Sequence, residues 1–141
     1  MTELALQRRF RAPVDLLWQG LTSPAALAQW FWPARFRTTA EVDLRVGGRF
    51  KFDGPGGGIA VSGHYTVVEV PTKLSFTWMW DGQAEETLVA VELATSGPDT
   101  DVVLTHRGFA DEAGRDDHVA GWSDCLDRLP AWLAAPGIFA G

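Results

Sequence analysis

The hydrophobic positions at the start of the chain follow the two-residue period of a β-strand. Leu4, Leu6 and Phe10 alternate with polar or small residues, so their side chains share one face. This strand should end near Ala12-Pro13. After the proline the period becomes helical, because the next apolar residues are spaced by three and four. The pattern predicts a short amphipathic helix with the stripe Val14, Leu17, Trp18 and Leu21.

A second short helix is predicted directly after the first. Ser23 is a good N-cap, and Pro24 suits the first helical position because its missing N–H needs no partner there. Leu27 and Trp30 are three residues apart and lie on one face of this helix. Trp32-Pro33 should end it.

Strand alternation dominates the middle of the chain. Phe50 and Phe52 alternate with Arg49 and Lys51, and the glycine-rich run 54–58 follows as a turn. This run contains no Lys-Ser/Thr and opens no helix, so a hairpin turn is favoured over a phosphate site. Short turns between the remaining segments indicate an antiparallel meander. We predict its strands near 42–44, 50–52, 59–70, 74–80, 87–93 and 102–107.

The last part of the chain returns to helical spacing. Asp111 is available as an N-cap, and Pro130 should kink the helix late or end it early, because it removes one backbone hydrogen bond. The apolar stripe consists of Val119, Trp122, Leu126, Leu129 and Leu133.

These elements predict the α+β class with a helix-grip arrangement. A chain of 141 residues is the size of one domain, which we expect to span 1–141 with a core from about 3 to 134. We expect a curved antiparallel sheet of about six or seven strands, wrapped around a long C-terminal helix. Two short helices follow the first strand. Such a sheet encloses a concavity that one helix fills only in part, which is a common place for ligands.

Composition narrows the classes of partner. The formal charge of −6 argues against nucleic acid and anionic membranes, because both are bound through Lys and Arg. Cys125 is the single cysteine, so no intrachain disulfide or CxxC motif exists, as expected for a cytoplasmic protein. We find no signal peptide and no apolar run of membrane-spanning length in the sequence.

An ordered set of short motifs covers most of the chain. The motifs are Arg9-Phe10-Arg11-Ala12-Pro13, Val14…Trp18…Leu21-Thr22…Pro24…Leu27…Trp30, Gly47-Gly48-Arg49-Phe50, Gly63, Thr77-Trp78, and Leu104-Thr105-His106…Gly108-Phe109…His118…Gly121-Trp122…Leu126…Leu129. Together they resemble the family related to the C-terminal domain of the activator of Hsp90 ATPase, within the START/Bet v 1-like helix-grip superfamily.

This resemblance implies the order β-α-α-β-β-β-β-β-β-α, which agrees with the pattern above. It leaves the function open. Superfamily members bind lipids, hormones or polyketides, some are cyclases or hydrolases, and the eukaryotic namesake is a cochaperone associated with stress responses. A shared fold does not choose among these roles.

The aromatic residues supply the candidate binding site. Trp78 and Trp80 share one face of a strand and either pack as core or border a cavity. We expect them, with Trp122 and a mouth segment at Trp30, Phe31 and Trp32, to surround a small apolar molecule. The full set of predicted ligand-binding residues is Trp30, Phe31, Trp32, Phe50, Phe52, Val61, Tyr65, Phe76, Trp78, Trp80, His106, His118, Trp122, Cys125 and Leu126.

The three histidines do not form a recognisable metal motif. His64, His106 and His118 are not in HxH or HxxxH spacing, so we predict no metal and no cofactor. His106 and His118 fall where the last strand meets the last helix, where an imidazole can satisfy backbone carbonyls. His64, Tyr65 or His106 would orient the ligand. No catalytic residues are assigned, and Cys125 is expected to be an inert buried thiol.

Two alternatives remain open. One is an enzyme of the same architecture, a cyclase, dehydratase or hydrolase acting on a polyketide-like or other apolar substrate with His64 or His106. The other is a protein-interaction module, either a chaperone partner or a homodimer, which would present an apolar patch outside the cavity. Along the strand 59–70, we favour Val61, Gly63, Tyr65 and Val67 as the inward face.

Overall fold

The structure, a computed structural model, describes residues 2–135 and places seven strands and three α-helices in that range. The helices are α1 (Val14–Thr22), α2 (Pro24–Trp30) and α3 (Glu112–Leu133). The strands are β1 (Thr2–Phe10), β2 (Thr39–Val42), β3 (Arg49–Gly54), β4 (Ile59–Glu69), β5 (Lys73–Trp80), β6 (Thr87–Ser96) and β7 (Asp99–Phe109).

All seven strands form one curved antiparallel sheet in the order β1-β7-β6-β5-β4-β3-β2. Strands β2 to β7 follow one another as hairpins, and β1 joins the sheet by pairing with β7, with Leu4 opposite His106. The helices pack on the concave face of this sheet. The predicted α+β helix-grip arrangement is confirmed, although β6 and β7 are longer than predicted and Leu44 lies beyond β2.

The two short helices begin as the sequence indicates. Pro13 precedes α1 with an extended backbone, and Ser23 separates α1 from α2. The Ser23 hydroxyl accepts a hydrogen bond from the Ala26 N–H at 3.3 Å, which satisfies one of the free donors at the start of α2. Residues 31–36 then cross the open end of the sheet and include a 3-10 turn at Ala34–Phe36.

The long helix α3 continues past its proline. Asp111 caps it by accepting a hydrogen bond from the Gly114 N–H at 2.8 Å, as predicted. The predicted early end at Pro130 is wrong, because the helix runs to Leu133 and the Ala134 N–H still bonds the Pro130 carbonyl. Proline removes one hydrogen bond in the last turn, where Trp132 and Leu133 are buried and hold the chain in place.

Strand β4 changes face at a bulge. Val61 and Tyr65 are buried as predicted, but the pairing with β5 shifts between Tyr65 and Val67. As a result Val68, and not the predicted Val67, packs against the core. An extra residue in one strand reverses the alternation for every position after it.

Gly63, the remaining inward residue on β4, occupies a crowded position. A Cβ atom there would collide with the carbonyl oxygen of Thr77 on β5 and approach the Phe50 ring to 2.9 Å. Glycine therefore allows the close approach of the strands that the sequence suggested at this point.

Within residues 2–135, the search for a helix long and apolar enough to cross a membrane finds none.

Candidate ligand-binding cavity

The space between the sheet and the helices is almost completely filled. Aromatic and branched side chains from the sheet meet α1, α2 and α3, and the void left among them is about 30 Å³, which is the size of one or two water molecules. The sequence therefore predicted the ligand cavity at the wrong position, between the sheet and the C-terminal helix. Large rings, among them Phe50, Phe76 and Trp30, occupy the volume that the curvature of the sheet creates.

A much larger cavity lies at the open end of the sheet. Its volume is about 900 Å³. Four parts of the chain surround it: the segment 31–36, the β3–β4 hairpin, the end of β5 with the following loop, and α3 as far as Arg128. We call this space the mouth cavity.

Indole rings form the apolar wall of the mouth cavity. Trp32 and Trp80 stack with ring centroids 6.2 Å apart and an interplanar angle of 18°. Trp78 and Trp122 lie with their centroids 5.1 Å apart, and Phe31 contacts both of them. All five rings line the cavity, so an apolar guest would meet aromatic surface on several sides.

The glycine-rich hairpin supports this wall. A Cβ atom at Gly54 would come within 2.9 Å of the Trp32 ring, and one at Gly57 within 2.5 Å of the Phe36 ring. These two glycines let residues 31–36 lie directly on the hairpin. The run 54–58 is thus the predicted hairpin turn and also the surface on which the mouth segment rests.

His118 fixes the orientation of Trp80. The Trp80 indole N–H donates to His118 Nε2 at 2.9 Å, and the opposite nitrogen, Nδ1, donates to the Gly114 carbonyl at 2.7 Å. Since an indole nitrogen can only donate, the proton of this imidazole sits on Nδ1. Nδ1 therefore satisfies the Gly114 carbonyl in the first turn of α3, as predicted, while Nε2 holds the Trp80 ring in the wall of the cavity.

His106 performs a similar role in the core. Its side chain is fully buried. The Trp122 indole N–H donates to Nδ1 at 3.0 Å, so the proton is on Nε2, which donates to the Thr87 hydroxyl at 2.6 Å. Thr87 in turn donates to the Trp78 carbonyl at 3.2 Å. This chain of hydrogen bonds ties together the strands β5, β6 and β7 and the helix α3, and the inner indoles Trp78 and Trp122 belong to β5 and α3.

The same environment makes His106 unsuitable as an acid or base. Burial, and to a smaller extent the charge of the nearby His118, lower the pKa of His106 to about 3. His64 is exposed and its Nδ1 lies 3.4 Å from the Thr77 hydroxyl, away from the mouth cavity. Neither His64 nor His106, the two histidines considered for acid–base chemistry, is placed to contact a ligand in the mouth cavity.

Arg128 and Cys125 hold the end of α2 in place. The Arg128 guanidinium donates to the Phe31 carbonyl at 2.7 Å and to the Trp30 carbonyl at 3.2 Å, and the Cys125 thiol donates to Phe31 at 3.0 Å. A cation at the C-terminus of a helix satisfies carbonyls that have no partner within the helix. Burial raises the pKa of Cys125 to about 12, which agrees with the expected inert thiol.

Trp78 has an unused hydrogen-bond donor. Its ring lines the mouth cavity and the residue is only 3% exposed. Its Nε1–H finds no acceptor among residues 2–135. A buried donor without a partner is costly, by about 1–3 kcal/mol.

With the fold and the cavity described, the chain can be compared with known proteins. Residues 11–134 match the family described as "Activator of Hsp90 ATPase homolog 1-like protein". The chain belongs to this family. The match covers most of the chain, which agrees with the resemblance carried by the ordered motifs. No curated protein matches the chain.

Solved structures share the fold of this Hsp90-activator-like chain. A protein of Rhodobacter sphaeroides is 28% identical with a TM-score of 0.79, and the alignment covers 96% of this chain and 94% of that one. CalU16 of Micromonospora echinospora is 26% identical with a TM-score of 0.74, over 94% and 76% of the two chains. An Hsp90 activator of Plasmodium falciparum is 23% identical with a TM-score of 0.74, over 95% and 97%. The last likeness is one of fold alone.

The predicted ligand-binding residues fall into three groups in this family member. Those that line the mouth cavity are Phe31, Trp32, Trp78, Trp80, His118, Trp122 and Cys125. Those that line only the small inner void are Trp30, Phe50, Phe52, Tyr65, Phe76 and Leu126. Val61 and His106 line neither space, because both side chains are enclosed in the core.

Several residues of the cavity lie outside the predicted set. The main ones are Arg35, Phe36, Asp53, Asp81, Glu85, Asp117, Gly121, Asp124 and Arg128. Most are charged residues of turns and of the helix surface, where the sequence suggests only solvated positions. Among residues 2–135, no group of three or more His, Cys, Asp or Glu is placed to hold a metal ion.

Proposed function

We propose that this protein binds a small hydrophobic or aromatic molecule in the mouth cavity. The observation that carries the proposal is an open space of about 900 Å³ walled by four indole rings. Ligand sites in proteins are typically concave, mostly apolar and of about 300–1,000 Å³, with a few polar groups. The membership of a helix-grip family is compatible with such a role.

The expected affinity comes from aromatic burial. A two-ring ligand that removes about 250 Å² of apolar surface from water gains about 6 kcal/mol before the cost of association is subtracted. The wall formed by Trp32, Trp78, Trp80 and Trp122 supplies the matching apolar surface.

A glycine in the middle of α3 supports the same proposal. Gly121 lines the mouth cavity, and a Cβ atom at this position would meet nothing within 4 Å. Glycine inside a helix costs about 1 kcal/mol relative to alanine. No neighbouring part of the protein packs closely enough to require glycine at position 121. A ligand lying against the helix would require it.

The experiment compares the cavity with a blocked form of it. Intrinsic tryptophan fluorescence is titrated with a panel of apolar and aromatic compounds, and native mass spectrometry of gently purified protein reports any molecule already bound. Gly121→Leu adds a side chain at a position that lines the cavity, where its Cβ atom meets nothing within 4 Å. Ala120→Leu adds the same side chain at an exposed position of α3 that does not line the cavity, and serves as the matched control.

We expect saturable binding by the natural sequence and by Ala120→Leu, and at least a tenfold weaker Kd for Gly121→Leu. If no compound in the panel quenches or enhances the fluorescence and no molecule accompanies the purified protein, the proposal is refuted. Equal affinities of the two leucine variants would place any binding outside the mouth cavity.

The interaction-module alternative receives less support. It requires a contiguous apolar patch on the outside of the protein. Within the described part of the chain, the large hydrophobic residues that are strongly exposed are Val46 and Val70, in two separate loops. A homodimer and a cytoplasmic location stay predictions from the sequence.

A further inference from the structure

This inference rests on the proposed function and concerns the charge of the ligand. We propose that the mouth cavity selects aromatic ligands that carry a positive charge, such as a protonated amine, over neutral and anionic ligands of the same shape. The ionisable groups around the aromatic wall carry this proposal.

Carboxylates outnumber cations around the cavity. Five acidic residues line it against two arginines. They come from separate parts of the chain, so no local run of acidic residues accounts for them. Asp53 lies near the end of β3, Asp81 and Glu85 lie in the β5–β6 loop, and Asp117 and Asp124 lie on α3.

One of the two arginines is already engaged. Arg128 is bound to Asp124 at 2.6 Å and also donates to the Trp30 and Phe31 carbonyls at the end of α2. Arg35 is exposed, lies over the ring of Phe36 at 5.1 Å from its centroid, and forms no ion pair among residues 2–135. Once the Arg128–Asp124 pair is set aside, four carboxylates face this single arginine.

Most of the carboxylates around the cavity form no ion pair. Among residues 2–135, Asp53, Asp81 and Asp117 form no ion pair, and Glu85 accepts a hydrogen bond from the Ala110 N–H at 3.1 Å. Unpaired carboxylates that border a low-dielectric wall give the cavity a negative potential, because field lines concentrate in such clefts.

The aromatic wall favours the same class of ligand. The faces of tryptophan rings are electron-rich and attract a cation with about 0.5–2 kcal/mol, depending on how far the pair is removed from water. Trp32 and Trp80 supply stacked indoles on one side of the cavity. A flat aromatic ring that carries an amine matches both the aromatic wall and the carboxylates around it.

The test uses three probes of the same shape and different charge. Naphthylmethylamine is cationic, naphthylmethanol is neutral and naphthoate is anionic near neutral pH. Isothermal titration calorimetry is performed at low and at high salt. We expect the amine to bind at least tenfold more tightly than the carboxylate, which corresponds to about 1.4 kcal/mol. The ratio of amine to carboxylate affinity should shrink in high salt, because the five carboxylates that form the rim of the mouth cavity are exposed or partly exposed to solvent.

A matched pair of variants tests the residues involved. Asp53→Asn with Asp117→Asn removes two negative charges from the rim with little change of shape. Glu41→Gln with Glu69→Gln removes two exposed charges that do not line the cavity. The rim variant should lower the ratio of amine to carboxylate affinity at least threefold, whereas the control variant should retain it.

The outcomes separate this inference from the proposed function. If naphthylmethanol binds but the amine binds no better than the carboxylate, the charge preference is overturned and cavity binding stands. Equal effects of the two double variants would assign the preference to overall charge and overturn the role of the rim. If none of the three probes binds, the proposed function fails and this inference fails with it.

Discussion

Replacement of the buried His106 should change how stability depends on pH. The imidazole accepts from Trp122 and donates to Thr87, so it folds in its neutral form. A second proton on Nδ1 would face the indole N–H of Trp122 and break that bond. Acid should therefore unfold the protein partly by protonating this residue.

The size of the effect follows from the shift in pKa. The pKa of His106 is lowered from its ordinary value of 6.5 to about 3 in the folded protein, so the unfolded chain binds a proton more readily between these values. Stability is thus full above pH 6.5 and falls as the pH drops toward 3. Between pH 7.5 and pH 5 the loss attributable to this one residue is about 2 kcal/mol.

The assay is urea denaturation at these two pH values and constant ionic strength, for the natural sequence and for His106→Asn. Asparagine leaves an oxygen near the position of Nδ1 and cannot be protonated in this range. The variant will be less stable at both pH values, but its loss between them should be smaller by about 2 kcal/mol. His64→Asn, at an exposed position outside the network, should keep the full loss. Equal losses of stability for His106→Asn and the natural sequence would show that protonation of His106 does not weaken the fold in this range.

Two further substitutions test the support of the site. Gly63→Ala should destabilise the protein by about 3 kcal/mol or more in thermal or urea denaturation, because the added carbon collides with the Thr77 carbonyl; a neutral result would disprove the close approach. Arg128→Met should cost about 1–2 kcal/mol through the lost bonds to the end of α2 at Phe31, while Arg8→Met, which loses an exposed ion pair, should cost less than about 1 kcal/mol. Similar losses for the two arginines would contradict the bracing role of Arg128.

The order of the secondary structure could be predicted because its signals are local. Alternation defines β5, where Phe76 and Trp78 both face the core, and Ser23 and Asp111 cap the helices that follow them. Such patterns depend on neighbours a few residues away. The bulge after Tyr65 has no comparable signal, since both Val67 and Val68 are apolar and either satisfies the alternation.

The position of the cavity could not be predicted in the same way. The pattern shows that Phe50 and Phe76 face inward, but whether they leave a hollow depends on the sum of many side-chain volumes against the curvature of the sheet. Here those rings fill the interior down to about 30 Å³. The mouth cavity depends instead on how residues 31–36 rest on Gly54 and Gly57, which are distant in sequence.

The rim of the cavity was missed for another reason. Asp53 lies near the end of β3 and Asp117 on the surface of α3, where charged residues are usual and suggest only contact with water. Their convergence on one space is a property of the tertiary structure. Gly121, in the middle of α3, is a local feature of the cavity to which the sequence pattern assigned no role, although no side chain of the protein requires glycine there.

The pairing of the first strand with the last has a consequence for synthesis. Thr2 lies opposite Phe109, so β1 leaves the ribosome long before its partner is translated. Until then the nascent chain carries an unpaired strand with the apolar residues Leu4 and Phe10, a feature that promotes aggregation. Any fragment that stops before β7 is expected to need protection by a holdase, and the sheet can close only after β7 has been made.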